Sequence, residues 1–335
     1  MSARGSSTYL HLYGPVPSRR LGRSLGVDIV PHKVCSYDCI YCQLGRTTKL
    51  TSTPGPLVSA KNVIREIEEW LGKGETADYI TFAGSGEPTL NAELGEMVRA
   101  TKKLTDIPLA VITNGSLLSE PEIREAVSMV DVLVPSLDAG TEGTFRGINR
   151  PAPGVSFFEM SEGLVQTAQE SGGSIWLETM LVEGVNDSEA ELHAMREIVR
   201  RICPDRLQIN TVERPSRSGD ARRVSTETLD RARGILGRSA EVIVDSMAAL
   251  GDSGQWQQIE DELMRMLSRR PCTLGDIVAV SGRKAHELAK HLHRLVQQGL
   301  IEQIGDVDPY YGCVTGGQDG RGSDHRPADA GRAVQ

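Results

Sequence analysis

Residues 61–90 read KNVIREIEEWLGKGETADYITFAGSGEPTL. Lys61–Leu71 has the apolar spacing of an amphipathic helix, and Tyr79–Ala83 is a short apolar, β-branched run typical of a buried strand. The run ends on Gly84, Ser85, Gly86, Glu87 and Pro88, a turn rich in small residues. One helix, one strand and one polar strand end make a unit, and the chain repeats that unit.

Further strands are expected at Leu25–Val30, Leu109–Thr113, Val132–Leu137, Ser174–Val182 and Arg206–Thr211. Helices are expected at Ala92–Leu104, Glu120–Ser128, Val155–Glu170, Ser188–Arg201 and Thr226–Leu236. Period-2 alternation is weak in these strands, as in parallel sheets covered on their outer face. Alternating β and α elements imply a parallel sheet with right-handed crossovers. The expected fold class is α/β, a partial (β/α)6 barrel with ligand groups at the C-terminal strand ends. A doubly wound open sheet is the competing architecture.

The style changes near residue 250. After a linker, Ile259–Leu267, Leu274–Val280 and Arg283–Gln298 read as three helices, and residues 300–312 as a β-ribbon. That order is a winged helix-turn-helix pattern. The expected division is 1–250 for the barrel, 251–312 for the small domain and 313–335 for a polar, disordered tail.

The chain has 335 residues, of which 39% are hydrophobic. No apolar run approaches the roughly 18 residues needed to span a bilayer, and the start lacks a signal peptide's apolar core. A cytoplasmic protein is expected, and its six cysteines are then metal ligands or buried thiols before they are disulfides. A net charge of −8 gives no general attraction to nucleic acid.

Three of those cysteines lie in CSYDCIYC, residues 35–42, as Cys35, Cys39 and Cys42. Three thiolates on one short loop can hold three irons of a cubane cluster and leave the fourth iron open to a ligand. A zinc site short of its fourth ligand is the plainer reading. The glycine-rich turn at 84–88 follows one βα unit later. Asn114 and Gly115 end the next strand, Ser136 and Asp138 the one after, and Val185, Asn186 and Asp187 follow the fifth. A plain turn role is available to Asn114 with Gly115, and a helix N-cap role to Asp187 or Ser188.

The cysteine loop resembles that of the radical S-adenosylmethionine (SAM) superfamily, with Tyr41 as the aromatic before the last cysteine. The resemblance implies a [4Fe–4S] cluster on Cys35, Cys39 and Cys42, with SAM chelating the open iron and cleaved to a 5′-deoxyadenosyl radical. It places Tyr41 against the adenosyl group and Gly84, Gly86, Glu87 and Pro88 at the methionyl amine. Asn114, Ser136, Asp138 and Val185 fall where the superfamily meets ribose, carboxylate and adenine. Residues 13–47, SLDAGTEGTFRGINRP and QINTVERPS are similar to the group containing the wyosine-base synthases of transfer RNA. This chain has no cysteine before Cys35, where those enzymes carry a second cluster, so the substrate does not transfer. Cys203, Cys272 and Cys313 are scattered and read as isolated thiols.

An enzyme of this kind implies flavodoxin or ferredoxin as reductant. Its substrate could be a nucleotide, an RNA or a peptide. An iron–sulfur regulator that senses redox state and binds DNA through the winged helix is the alternative. Glu260, Asp261, Glu262, Asp276 and Glu287 offset Arg283, Lys284, Lys290 and Arg294, which disfavours DNA binding. Arg19, Arg20, Arg23, Arg146 and Arg150 suit phosphate or carboxylate recognition but are expected to be solvated or structurally paired. His32 and Lys33, beside the cysteine loop, could tune the cluster's potential but are expected to lie on the surface. His286, His291 and His293 converge with no cysteine pair.

Overall fold

The computed structural model describes residues 9–18, 20–42, 44–212, 221–237, 239–243, 254–267, 271–281, 283, 285–304 and 309–313. An antiparallel pair opens the chain, β1 (Leu12–Ser18) with β2 (Gly22–Val27). A parallel two-residue ladder, β3 (Val34–Cys35) with β4 (Lys49–Leu50), brackets the cysteine loop. The βα units then run α1 (Ala60–Gly72), β5 (Tyr79–Phe82), α2 (Leu94–Leu104), β6 (Leu109–Thr113), α3 (Pro121–Ser128) and β7 (Val132–Pro135). They continue with α4 (Glu142–Ile148), α5 (Phe157–Glu170), β8 (Ser174–Leu181), α6 (Glu189–Ile202), β9 (Arg206–Thr211), α7 (Thr226–Leu236) and β10 (Ala240–Val242).

The sheet order is β1-β2-β5-β6-β7-β8-β9-β10, and every pairing from β2 onward is parallel. A doubly wound sheet reverses direction at a switch point. Here the order in space is the order in sequence, so the sheet is singly wound. It also curls. Arg20, in the turn before β2, forms an ion pair with Glu178 of β8. On a flat sheet β2 and β8 would stand four strand spacings apart, roughly 19 Å, beyond an arginine's reach.

Both faces of the curled sheet are apolar at β6 and β7, which is why those strands show little alternation. Inside, Leu21, Ala110, Val132, Val134 and Trp176 pack with Tyr79 and Ile112. Outside, Leu25, Val27, Ile80, Phe82, Val111, Leu133, Leu177 and Ile209 meet the buried faces of the helices, such as Val63, Ile67 and Trp70 of α1. Ser156, Ser188 and Ser225 cap α5, α6 and α7 by accepting from the backbone N–H three residues on.

The elements depart from the sequence expectation in identifiable places. The first parallel strand is Gly22–Val27 rather than Leu25–Val30; just beyond it the Asp28 side chain bonds Ser85. The expected six parallel strands gain a further one, β10, three residues long. β1 escapes notice because its LYGPVPS carries two prolines, tolerated at an edge. The short helix α4 lies inside what reads as a loop.

Beyond the barrel come α8 (Gly254–Leu267), β11 (Cys272–Thr273), α9 (Leu274–Ser281), α10 (Ala285–Gln297), β12 (Ile301–Ile304) and β13 (Tyr310–Cys313). The strands form a separate antiparallel sheet, β11-β13-β12. Ile259, Leu263, Ile277, Leu288, Leu292 and Ile301 share a core of their own. Cys272 and Cys313 pack in that core, and Cys313 ends β13 rather than starting a tail. Arg19, Lys284, residues 305–308 of the ribbon, the tail from 314 and the side chain of His286 lie outside the description. No helix among the described residues is long and apolar enough to cross a membrane.

Helix α5 sits directly on the loop after β6: a Cβ at Gly163 would lie 2.4 Å from the Ser119 nitrogen. Neither backbone can yield cheaply. Gly163→Ala is therefore expected to cost about 1–3 kcal/mol, measured as a lower midpoint in thermal or denaturant unfolding. An unchanged midpoint would contradict this packing.

Candidate cluster and cofactor site

The cysteine loop has almost no regular structure of its own, yet its backbone is held on both sides. The Asp38 and Ile40 N–H groups donate to the carbonyls of Asn149 and Ile148, and Ala152 N–H donates to Ser36. Within the loop Cys42 N–H donates to the Cys39 carbonyl, and Gly45 N–H to that of Cys42. Ser36 Oγ, fully buried, meets Ser116 Oγ at 2.6 Å and so joins the loop to the end of β6.

Each of the three sulfurs faces an N–H donor. Cys35 Sγ accepts from Tyr37 N–H at 3.5 Å and from Asn114 Nδ2 at 3.6 Å. Cys39 Sγ accepts from Asn149 Nδ2 at 3.5 Å, and Cys42 Sγ from Lys33 Nζ at 3.1 Å. Lys33 is buried, not on the surface as its sequence position suggests, while His32 is exposed. Burial pushes the Cys35 thiol up to about 12, with Glu87 adding to the effect. Burial, then Asp138, holds Cys39 well above the usual thiol range. A metal taken up here must displace those protons.

The glycine-rich turn packs against this loop. A Cβ at Gly86 would fall 2.0 Å from the Val34 carbonyl oxygen, and one at Gly84 would fall 2.3 Å from Asp28 Oδ1. Asp28 fixes the turn further by accepting from Ser85 N–H at 3.2 Å and Ser85 Oγ at 2.7 Å. Glu87 is 2% exposed and satisfied by neighbours. Its Oε1 accepts from Thr89 N–H, Thr89 Oγ1 and Thr113 Oγ1, and its Oε2 from Asn114 N–H at 2.8 Å. Burial raises its carboxyl, and these donors oppose the rise. Pro88 opens the 3-10 turn that Glu87 caps. In this arrangement Glu87 acts as a clamp between β5 and β6.

A second buried carboxylate organises the far side. Asp138 Oδ2 accepts from Tyr41 OH at 2.5 Å and Asn149 Nδ2 at 2.8 Å, while Oδ1 accepts from Met180 N–H. Its carboxyl is raised by burial and drawn back by the Tyr41 hydroxyl and the other donors. Asn186 Nδ2 donates to the Asp138 carbonyl, which ties in the turn carrying Val185. Ser136 bridges to Glu178 as β7 ends. Cys35, Cys39, Cys42, Tyr41, Gly84, Gly86, Glu87, Asn114 and Asp138 thus belong to one continuous rim; Ser136 and Val185 join it through the backbone.

Asn149 and Asp28 escaped the sequence reading. Asn149 is 2% exposed and joins Cys39 to Asp138. Its signal was present in GINRP, within a stretch otherwise quoted only for likeness. The far cysteines do not join: Cys203 is exposed at the left-handed cap of α6. Among the described residues no three His, Cys, Asp or Glu side chains close on a single metal ion. A cubane spreads its thiolates over separate irons and takes N–H donors on its sulfurs. The donor set here, three thiols each facing an N–H group, fits that cluster.

The fold and rim define a class, and comparison with known proteins agrees. The model of the Radical SAM superfamily matches residues 29–195. Members of that superfamily use a [4Fe–4S] cluster and SAM. The chain belongs to the family of UPF0026 proteins. It is 30% identical over 307 residues to the UPF0026 protein of Helicobacter pylori strain J99, covering 89% of this chain and 96% of that one. It is also 37% identical over 294 residues to a Brachyspira hyodysenteriae protein named GTPase Obg, covering 87% of this chain and 43% of that one. The chain thus spans less than half of that relative's length. Among solved structures, a radical SAM methyltransferase from Sphaerobacter thermophilus aligns with a TM-score of 0.48 at 20% identity, covering 65% of each chain.

Glu87→Gln turns an acceptor-only group into one that must present an N–H₂ to backbone donors. One donor is left unmet, at a cost of about 1–3 kcal/mol. The variant is expected to unfold at lower denaturant than wild type; an equal midpoint would remove Glu87 from its clamping role.

Proposed function

We propose that the chain is a radical SAM enzyme that cleaves SAM reductively and abstracts hydrogen from a bound substrate. The observation that carries this reading is the convergence of three donor-facing thiols with the ends of β5, β6 and β7 on one rim. When bound, the cluster supplies one electron to SAM, and the cleaved cofactor supplies a 5′-deoxyadenosyl radical.

The chain's own residues have assignable tasks. Cys35, Cys39 and Cys42 hold the metal. The backbone carbonyls of the turn at 84–88 receive the methionyl amine, because Glu87 already has four donors. Asn114 and Ser136 take the carboxylate and ribose, and the backbone at Val185 takes the adenine. Asp138 pins the Tyr41 hydroxyl, so the ring keeps one orientation toward the adenosyl group. Together they hold the reacting carbon at one distance from the substrate and keep water away.

Flavodoxin or ferredoxin fits as the one-electron reductant that this chemistry calls for; Arg46, 84% exposed in its side chain and 3.8 Å from Asp38, stands beside the loop with Arg150. The likeness of residues 136–151 to wyosine-base synthases supports a nucleotide, free or in RNA, as substrate. Residues 254–313 have the element order of a winged helix. Arg283 pairs with Glu262 and Glu287, and Arg294 with Glu260. Those pairings favour docking to a protein or peptide over binding of DNA phosphates.

The test is anaerobic reconstitution with iron, sulfide, dithionite and SAM. Wild type should release 5′-deoxyadenosine, and Cys39→Ala should bind less iron and release none above background. Equal release from both would overturn the proposal.

A further inference from the structure

Lys33 departs furthest from what its sequence position suggests. It lies two residues before Cys35 with φ at +56°, a left-handed conformation uncommon for a residue with a side chain. Its backbone is held on both sides. The Lys33 N–H donates to the Ser85 carbonyl at 2.7 Å, and its own carbonyl accepts from Thr48 N–H at 3.1 Å and Lys49 N–H at 3.2 Å. The side chain is thereby turned inward, to 3% exposure, with Nζ 3.1 Å from Cys42 Sγ.

The turn itself does not call for lysine. Glycine would adopt this φ without strain, and any apolar side chain would be easier to bury. A buried ammonium is costly unless it is paired, and the partner supplied here is a sulfur. The other donors to the thiols are neutral and stand at 3.5 Å or more. Lys33 gives the shortest such contact and carries a charge, which makes a hydrogen bond roughly twice as strong.

On the reading that these thiols carry the cluster, we infer that Lys33 raises its reduction potential. Reduction adds one electron, delivered by a one-electron flavin or iron–sulfur protein, and so one negative charge to the cluster. A fixed positive charge beside a coordinating sulfur stabilises the reduced state more than the oxidised one. Hydrogen bonds to sulfur, local charge and burial are the protein's means of setting such potentials. Lys33 supplies the first two and coordinates nothing; it is a positioning residue.

The test compares wild type with Lys33→Met, Lys33→Gly and Lys33→Arg, each reconstituted anaerobically, in a potentiometric titration followed by electron paramagnetic resonance without SAM. Lys33→Met and Lys33→Gly should hold as much iron and sulfide as wild type. At a fixed potential they should contain about tenfold fewer reduced clusters, equivalent to a shift of about 59 mV to more negative potential for one electron. Lys33→Arg should recover most of the difference. Unchanged midpoints in the Met and Gly variants overturn the inference. Loss of the cluster from both also overturns it, because Lys33 would then serve assembly; Lys33→Gly relaxes the backbone and so excludes strain as the cause. Wild type that assembles no cluster overturns this inference and the enzymatic reading together. Wild type that holds the cluster but forms no 5′-deoxyadenosine defeats the enzymatic reading alone.

Discussion

The rim depends on a buried carboxylate whose four donors come from two neighbouring βα units. Glu87 takes two of them from Thr89, in its own turn, and two from Thr113 and Asn114 at the end of β6. Removing a carboxylate from water costs several kcal/mol even after relaxation. Hydrogen bonds to a charged group return about 1.5–3 kcal/mol each, so the site is favourable only with nearly all donors in place. Displacing β5 against β6 would therefore expose or orphan Glu87. The same turn requires Gly86, since the Val34 carbonyl occupies the space of a side chain there. One short segment thus aligns two strands and brings the cysteine loop onto them.

Around that junction the charges are unevenly distributed. Glu87 and Asp138 are both buried, and each raises the affinity of the nearby thiols for protons. Lys33 is the ammonium set against them, with its nitrogen on Cys42. Without metal the site keeps Cys35 and Cys39 protonated and neutral. Metal binding replaces those protons, and the neutral amides of Asn114 and Asn149 are already placed to donate to the resulting thiolates. The amides are preorganised by contacts of their own: Asn114 Nδ2 donates to Ser36 Oγ, and Asn149 Nδ2 to Asp138. Little rearrangement is then required when the sulfurs become charged.

Much of this was legible in the sequence. Runs such as Leu109–Thr113 and Val132–Pro135 announce themselves because both faces of the sheet are dry there, and their helices carry clear apolar stripes. The strand ends were legible because Gly, Asn, Asp and Ser cluster there. The remaining features depend on distant partners. β1 exists because β2 offers an edge, and its prolines conceal it. β10 is three residues that gain strand identity only from β9. Asn149 touches a cysteine 110 positions away, and Lys33 is buried because Ser85 and Thr48 fix its backbone. Local pattern cannot report contacts that close only after the sheet curls.

The curl also explains why the chemistry occupies one end of the barrel. Toward the N-terminal strand ends the interior is filled by Leu21, Tyr79, Ala110, Val132 and Trp176, with the Arg206 guanidinium 4.4 Å over the Trp176 ring. Above that plug, on β8, Glu178 pairs with Arg20 and accepts from Asn210 Nδ2 at 2.5 Å. An ion pair at this depth is weak evidence for stability, since its desolvation offsets much of its attraction. It does specify geometry, because Arg20 reaches Glu178 only when β2 and β8 face one another. The apolar plug drives closure, the ion pair selects its degree, and both leave the opposite end free for groups that apolar packing could not tolerate. Glu87, Asp138 and Lys33 are such groups, and each is met there by polar partners: Glu87 by Thr89, Thr113 and Asn114, Asp138 by Tyr41, Asn149 and Met180, and Lys33 by Cys42.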